Sequence, residues 1–136
     1  MTKSDDHSRF AELGYDDFRD LAKNSLLSRH QKVGFPDSYR EGKEDAIFED
    51  IRKKLSPLAM KGIKVMEVGP GCSKLPVLLA EQCALSESLI YFVDSQEMLD
   101  HLPDGPHIVK IYGRFPEAIQ NKKNTPKGKL NAILAY

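Results

Sequence analysis

The 136-residue sequence has no tryptophan, two cysteines and no excess of either charge. Its 20 basic and 20 acidic side chains give a formal net charge of zero, and neither sign forms a long block. A nucleic-acid interface and a polybasic membrane anchor are not indicated, because both depend on clustered positive charge. We therefore expect small molecules as partners, and no nucleic acid.

Long apolar runs are also missing from the sequence. A transmembrane helix needs roughly 20 consecutive, mostly apolar residues, and no stretch approaches that length. The polar N-terminus lacks the apolar segment of a secretory signal. We therefore expect a cytoplasmic protein without membrane contact. The chain has no internal repeat, and its length is typical of one domain.

The cysteines and histidines are too dispersed to predict a disulfide or a metal site. Cys72 and Cys83 would lie about 16 Å apart along one helix, which is too far for a disulfide, so both are expected to be free thiols. The four histidines have no ligand spacing, and no metal is predicted. Cys72 also lacks an evident histidine partner, which argues against a catalytic nucleophile.

One stretch, from Val65 to Lys74, organises the rest of the chain and reads VMEVGPGCSK. An apolar run over positions 63–68 ends in Gly-Pro-Gly, and apolar residues then return at helical spacing. This pattern predicts a strand, a tight glycine turn and a helix. Such a turn leaves backbone N–H groups at the positive end of the helix, where anionic groups bind.

The segments before the turn predict helices. One or two short helices fit between Phe10 and Leu27, and positions 28–37 read as a loop. Ser38 and Glu41 form a capping-box signature for a further helix, which Pro57 ends. Positions 1–62 are therefore interpreted as a helical N-terminal region with a linker.

The segments after the turn alternate between strand and helix patterns. Strands are predicted over Leu89–Val93, His107–Tyr112 and Leu130–Tyr136, with short helices between them. The alternation predicts an α/β fold with a Rossmann-like parallel sheet of about four strands and flanking helices. Positions 63–136 would form this cofactor-binding region, within one domain overall.

Polar and glycine residues fall where neighbouring strands end: Glu67 at the turn, Asp94 after the second strand, and Gly113 with Arg114 after the third. Ligands bind outside the carboxyl ends of parallel strands. Asp94 follows Gly71 by 23 positions, close to the spacing of an acid that binds ribose hydroxyls. Two alternatives stay open, with Asp94 as a helix N-cap and Glu67 as an acid paired to a basic neighbour.

The dinucleotide fingerprint would need a third glycine at position 74, which is Lys74, so it fails. The pattern hydrophobic-hydrophobic-acid-hydrophobic-Gly-x-Gly instead resembles motif I of class I S-adenosylmethionine-dependent methyltransferases. Ser73, Asn131 and Arg114 depart from the family pattern. The resemblance implies S-adenosylmethionine as the cofactor, with these binding residues: Glu67, Gly69, Pro70, Gly71, Cys72, Asp94, Ser95, Gly113 and Arg114.

The resemblance also bears on the acceptor. The stretch FPDSYREGKEDAIF looks like the leader of bacterial methyltransferases of sugar and glycan pathways, which implies a small, possibly sugar-derived acceptor. Tyr39 and Arg40 are either a lid over the cofactor or ordinary loop residues, and Tyr136 would border the acceptor. Phe92 and Met98 either contact the nucleoside or pack in the core. No catalytic residue is predicted.

The family's sheet has seven strands, whereas this sequence predicts about four, so we expect an incomplete version of the fold. The alternative function is a truncated, non-catalytic nucleotide-binding or interaction module. The fourth strand would leave Ile133 to Tyr136 as an uncovered apolar edge. An edge of this kind pairs with other chains, which predicts a homo-oligomer.

Overall fold

The computed structural model describes residues 13–34, 42–120, 126 and 128–135. In chain order their elements are α1 Tyr15–Lys23, α2 Arg29–Lys32, α3 Glu44–Lys54, a 3₁₀ helix Ser56–Ala59, β1 Lys64–Val68, α4 Lys74–Leu85, β2 Leu89–Asp94, α5 Gln96–Leu99, β3 Ile108–Tyr112, α6 Glu117–Gln120 and β4 Ala132–Leu134.

The four strands form one parallel sheet in the order β3-β2-β1-β4. This confirms the predicted α/β, Rossmann-like fold with flanking helices. β2 pairs with one side of β1, and β4 pairs with the other side of β1. The strand order therefore reverses at β1, and the carboxyl end of such a strand is the usual place for a ligand.

Helices cover both faces of the sheet, which explains the continuous apolar runs of its central strands. Val65, Ile90 and Phe92 point to one face and pack with the side chains of α3, α4 and α5. Met66 and Tyr91 point to the other face, where residues of α6 pack against them. Phe92 is fully buried in this core, so of its two predicted roles the packing role is confirmed.

The prediction of a loop over positions 28–37 is wrong for its first part, because α2 occupies Arg29–Lys32. Ser28 Oγ accepts a hydrogen bond from the Gln31 backbone N–H, and Gln31 Oε1 accepts one from the Ser28 N–H. These reciprocal bonds form a capping box, which stabilises a helix start. The Ser-x-x-Gln signature of this helix start is present in the sequence at Ser28 and Gln31.

The helix predicted before Pro57 is present as α3, and Ile51 is buried with Ile47 and Leu55 packed against the core. The helix ends at Lys54, and Pro57 lies in the 3₁₀ helix that follows. The capping box predicted at Ser38 and Glu41 lies outside the described residues.

Among the described residues the fourth strand is shorter than the predicted Leu130–Tyr136, because β4 pairs with β1 over three residues. Asn131 fixes the start of this pairing: its N–H donates to the Lys64 carbonyl at 2.8 Å, and its Oδ1 accepts from the Lys64 N–H at 2.9 Å. Asn131 therefore lies at the amino edge of the sheet. None of the helices in the described part of the chain has the length and apolar character needed to span a bilayer.

The two leucines Leu79 and Leu85 on α4 provide a matched test of the core. Leu79 is fully buried, whereas Leu85 is 81% exposed. We expect Leu79→Ala to lower the free energy of unfolding by about 2–5 kcal/mol, because it leaves a cavity in a packed core. Leu85→Ala should change it by less than about 0.5 kcal/mol. Urea denaturation followed by circular dichroism measures both, and equal effects would contradict the described packing of α4.

Candidate functional site

The glycine turn joins β1 to α4 and is tied to the end of β2. Gly69 and Gly71 have φ values of +65° and +69°, which favour glycine over other residues. The Gly69 N–H donates to the Val93 carbonyl at 2.9 Å. A side chain at Gly69 would meet no atom of the described residues within 4 Å, whereas one at Gly71 would clash with Val33. The backbone at Gly69 is therefore open to a ligand.

Asp94 lies beside this turn at the end of β2. Its Oδ2 accepts a hydrogen bond from the Gly71 N–H at 3.0 Å, and its Oδ1 accepts one from the Ser95 N–H at 2.7 Å. Burial raises the pKa of the Asp94 carboxyl, and the two hydrogen bonds oppose that shift. The N-cap of α5 is Ser95, whose Oγ accepts from the Met98 N–H. The alternative role of Asp94 as the N-cap is therefore wrong.

The remaining predicted residues of the turn are buried. Glu67 is 2% exposed, and in the strand register it lies between Phe92 of β2 and Leu134 of β4. Pro70 and Cys72 are also buried. Glu67, Pro70 and Cys72 are therefore the buried residues at the turn, whereas Gly69 is exposed.

Cys72 and Cys83 are free, buried thiols. Burial raises the pKa of each to about 11, and the charges of Lys32 and Arg29 partly oppose this for Cys72. A nucleophilic cysteine needs a lowered pKa, because the thiolate is the reactive form. The surroundings of both cysteines therefore favour a structural role.

The third strand contributes Gly113 and Arg114 to the same edge. The Gly113 N–H donates to the Asp94 carbonyl at 2.9 Å. The Arg114 guanidinium lies over the ring of Tyr15, 5.4 Å from its centroid. Burial and the nearby negative charge of Asp94 raise the pKa of Tyr15. Tyr15, the first residue of α1, therefore lies at the carboxyl edge of the sheet.

The helix α1 is held at this edge by an ion pair and by apolar packing. Arg19 donates to both carboxylate oxygens of Glu97 on α5, at 2.8 to 3.2 Å. Hydrogen bonds from Arg19 lower the pKa of Glu97 to about 2. Ala22 is buried with Cys72 and Met98, which confirms a packing role for Met98.

The start of α4 binds a carboxylate of the chain itself. The Leu75 N–H, in the first turn of α4, donates to Glu44 Oε2 at 2.7 Å. Glu44 is 6% exposed, and its Oε1 lies 3.4 Å from His30 Nε2. One of the N–H groups at this helix start, which as a group are predicted to bind anions, is therefore already bound to Glu44.

Ser73 precedes this helix and is fully buried. Its Oγ has no hydrogen-bond partner among the described residues. A buried polar group without a partner costs about 1–3 kcal/mol, so such groups usually have a reason to be retained. The described residues therefore leave the hydrogen-bonding capacity of this buried hydroxyl unused.

The structure thus brings together the turn, Asp94, Ser95, Gly113 and Arg114 at one edge. The proposed lid residues and the residue expected to border the acceptor lie outside the described residues: Tyr39, Arg40 and Tyr136. No group of three or more histidine, cysteine or acidic side chains that could hold a metal occurs in the described residues.

Sequence reasoning missed the residues by which the N-terminal helices contact the glycine turn, α4, α5 and Arg114: Tyr15, Arg19, Val33 and Glu44. Glu44 contacts a residue 31 positions away, and no spacing rule predicts such a contact. Glu44 is in the first turn of α3, where the helix dipole alone favours an acidic side chain. Its position in the sequence therefore does not indicate a contact with α4. Only the packing of α1, α2 and α3 in the folded chain shows what these side chains contact.

No family model, curated protein or solved structure matches this chain. The interpretation of the site therefore rests on the residues and the geometry described above.

The two glycines of the turn provide a test of how α2 packs on it. Gly69→Ala should cost about 1–2 kcal/mol of unfolding free energy, from backbone strain alone. Gly71→Ala should cost a further 1–3 kcal/mol, roughly, because its Cβ would meet the short, stiff Val33 side chain. Chemical denaturation measures both.

The control is the same change in a Val33→Ala background. Because the clash is then removed, Gly71→Ala should cost about as much as Gly69→Ala. An additive double mutant would show that Val33 does not lie over Gly71 in solution.

Proposed function

We propose that this chain binds S-adenosylmethionine at the carboxyl edge of its sheet and acts as a methyltransferase domain. The observation that carries the proposal is the hydrogen bond between Gly71 and Asp94, which holds an acid at the end of β2 against the glycine turn after β1. An ionised carboxylate has about four acceptor positions, and the backbone uses two of them here. Two remain for the hydroxyls of a ribose.

The charges around the turn favour this cofactor over a dinucleotide. The N–H groups of Gly71 and Leu75 already donate to carboxylates, so they are not available to a pyrophosphate. Pro76, the next residue of α4, has no N–H to offer. A sulfonium ligand is cationic at its centre, so nearby carboxylates attract it and repel a phosphate.

Each residue of the site would contact a different part of the cofactor. The open backbone at Gly69 lets a ligand approach closely, Asp94 accepts from the ribose, and Arg114 with Tyr15 borders the nucleoside. When bound, S-adenosylmethionine supplies a methyl group for direct displacement at sulfur. This chemistry depends mainly on positioning. We propose a small, sugar-derived acceptor, as the resemblance implies.

Calorimetric titration with S-adenosylmethionine and with NAD tests the cofactor. We expect the first to bind and the second not to bind. Asp94→Ala should weaken binding of S-adenosylmethionine by about 1–3 kcal/mol, because two hydrogen bonds to the ribose are lost. Binding of NAD alone would refute the proposal.

Asp100→Ala is the matched control for Asp94→Ala, since it removes the same charge from an exposed position next to α5. Its affinity for S-adenosylmethionine should equal that of the unmodified protein. If Asp94→Ala also binds normally, Asp94 has no contact with the ribose.

A second candidate function is self-association through β4. This strand is an edge of the described sheet, and Ile133 on it is 60% exposed. An edge strand with an exposed apolar side chain is a template for pairing with another chain. We propose that a second copy pairs there.

Size-exclusion chromatography with light scattering tests this second candidate. The unmodified protein should be a dimer, and Ile133→Lys should be a monomer, because a charge on the edge opposes pairing. Leu26→Lys is the control, since Leu26 is 91% exposed but lies between α1 and α2. A monomeric unmodified protein at high concentration would exclude pairing through β4.

A further inference from the structure

A groove of about 370 Å³ lies between α4 and the loop that leads from α5 into β3. On α4 it is lined by residues from Val77 to Ala84, in the part of the helix that leads away from the glycine turn. The other wall is formed by residues 103–108, which lead into the amino end of β3. The candidate site lies at the opposite, carboxyl edge of the parallel sheet. The groove is therefore separate from it.

The α4 wall of the groove is one face of the helix with mostly short side chains. Val77, Ala80 and Ala84 follow one another at spacings of three and four residues, which places them on the same face. A methyl group fills little of the space beside a helix, so the two alanines leave room between α4 and the loop. Glu81 lies beside them on this wall.

The loop wall is held in place by contacts of its own. Lys110 Nζ donates to the Leu102 carbonyl at 2.8 Å and pairs with Asp104 Oδ1 at 3.0 Å. The Ile108 N–H donates to the Gly105 carbonyl at 3.1 Å. A site whose walls are already ordered loses less conformational entropy when a ligand binds. The groove is therefore formed before any ligand arrives.

Most of the lining is apolar. Pro103, Pro106 and Ile108 of the loop wall face the apolar residues of α4 across the groove. Sites for small molecules typically have volumes of about 300–1,000 Å³ and mostly apolar walls with a few polar groups. The groove has both properties. The apolar body of a small ligand would leave water on entering it, which favours binding.

The polar side chains of the lining are negatively charged or accept hydrogen bonds. Glu81 is exposed, and no residue in the described part of the chain forms an ion pair with it. Asp104 already pairs with Lys110. His107 Nδ1 lies 3.0 Å from the Ser88 carbonyl, which can only accept, so Nδ1 carries the hydrogen. In a neutral ring the other nitrogen, Nε2, is then an acceptor. A ligand with a positive charge and hydrogen-bond donors complements these groups.

We propose that this groove binds a small amine, with the apolar body of the ligand between α4 and the loop and its ammonium group at Glu81. The apolar walls recognise the body of the ligand. The unpaired carboxylate of Glu81 selects a cation over a neutral or anionic molecule of the same shape. This site goes beyond the proposed function and does not depend on it, because the two sites lie at opposite edges of the sheet.

Nuclear magnetic resonance titration of the ¹⁵N-labelled protein tests the proposal with three probes. They are 2-phenylethylamine, 2-phenylethanol and 3-phenylpropanoate, which carry the same ring and a cationic, neutral or anionic end. We expect the amine to bind most tightly and to shift the amide signals of Ala84, Asp104 and Gly105, while those of Gly69 and Gly71 stay unchanged. The proposal is overturned if no probe shifts the groove signals, or if the alcohol or the carboxylate binds as tightly as the amine.

A substitution that fills the groove tests its location. Ala84→Phe should weaken binding of 2-phenylethylamine by about tenfold or more, because its ring takes the place of the apolar body of the ligand. Leu85→Phe is the matched control, since Leu85 is the next residue of α4, is 81% exposed and does not line the groove. Both positions are exposed, so both variants should fold. Equal affinities of the two variants would place the ligand elsewhere and overturn the proposal.

A substitution that removes the charge tests the class of ligand. Glu81→Gln should weaken binding of 2-phenylethylamine by about twofold to fivefold, as expected for an ion pair exposed to solvent, and leave binding of 2-phenylethanol unchanged. Glu117→Gln is the control, because Glu117 is exposed on α6, which packs on the other face of the sheet. If Glu81→Gln binds the amine as tightly as Glu117→Gln does, the carboxylate does not select a cation and the proposed ligand class is wrong.

Discussion

A hydrogen bond of 3.0 Å from the Gly71 N–H to Asp94 Oδ2 joins the two central strands at the edge where the site lies. The turn has two glycines at positive φ, a conformation that glycine adopts without strain but does not favour over others, so neighbouring contacts select it. Asp94 and the Val93 carbonyl hold it from the end of β2. The turn also supplies the Gly71 N–H, which stabilises the charged form of the half-buried Asp94 carboxylate. The strand end and the turn are therefore one unit, although they come from separate parts of the chain.

The N-terminal helices belong to this unit as well. Val33 fills the space over Gly71, Glu44 binds the start of α4, and Arg19 ties α1 to α5 through Glu97. These contacts place the helical region against one side of the turn and leave Gly69 exposed on the other. The direction from which a ligand can approach is thus set by residues that precede the sheet in the chain.

Much of the sheet could be predicted from the sequence, because its strands are buried apolar runs that end at glycine or aspartate. The position of Asp94 followed from its spacing to Gly71. The length of β4 did not follow, since a strand ends where its pairing with a neighbour ends, and that is a property of the tertiary structure. Val33 and Glu44 lie outside the motif of the glycine turn. Their roles depend on how α2 and α3 pack, which local patterns do not encode.

The charge at the start of α4 depends on Glu44 more than on the glycine turn. The dipole of a helix start attracts an anion by about 0.3–1 kcal/mol, and by about 2 kcal/mol where it is partly buried. Two like charges about 4 Å apart repel by about 4 kcal/mol at an effective dielectric constant of 20. A carboxylate already held at the helix start therefore outweighs the attraction that the turn offers to a second anion. A glycine turn before a helix predicts where a ligand binds. The side chains that accept hydrogen bonds from its N–H groups determine the charge that the ligand must carry.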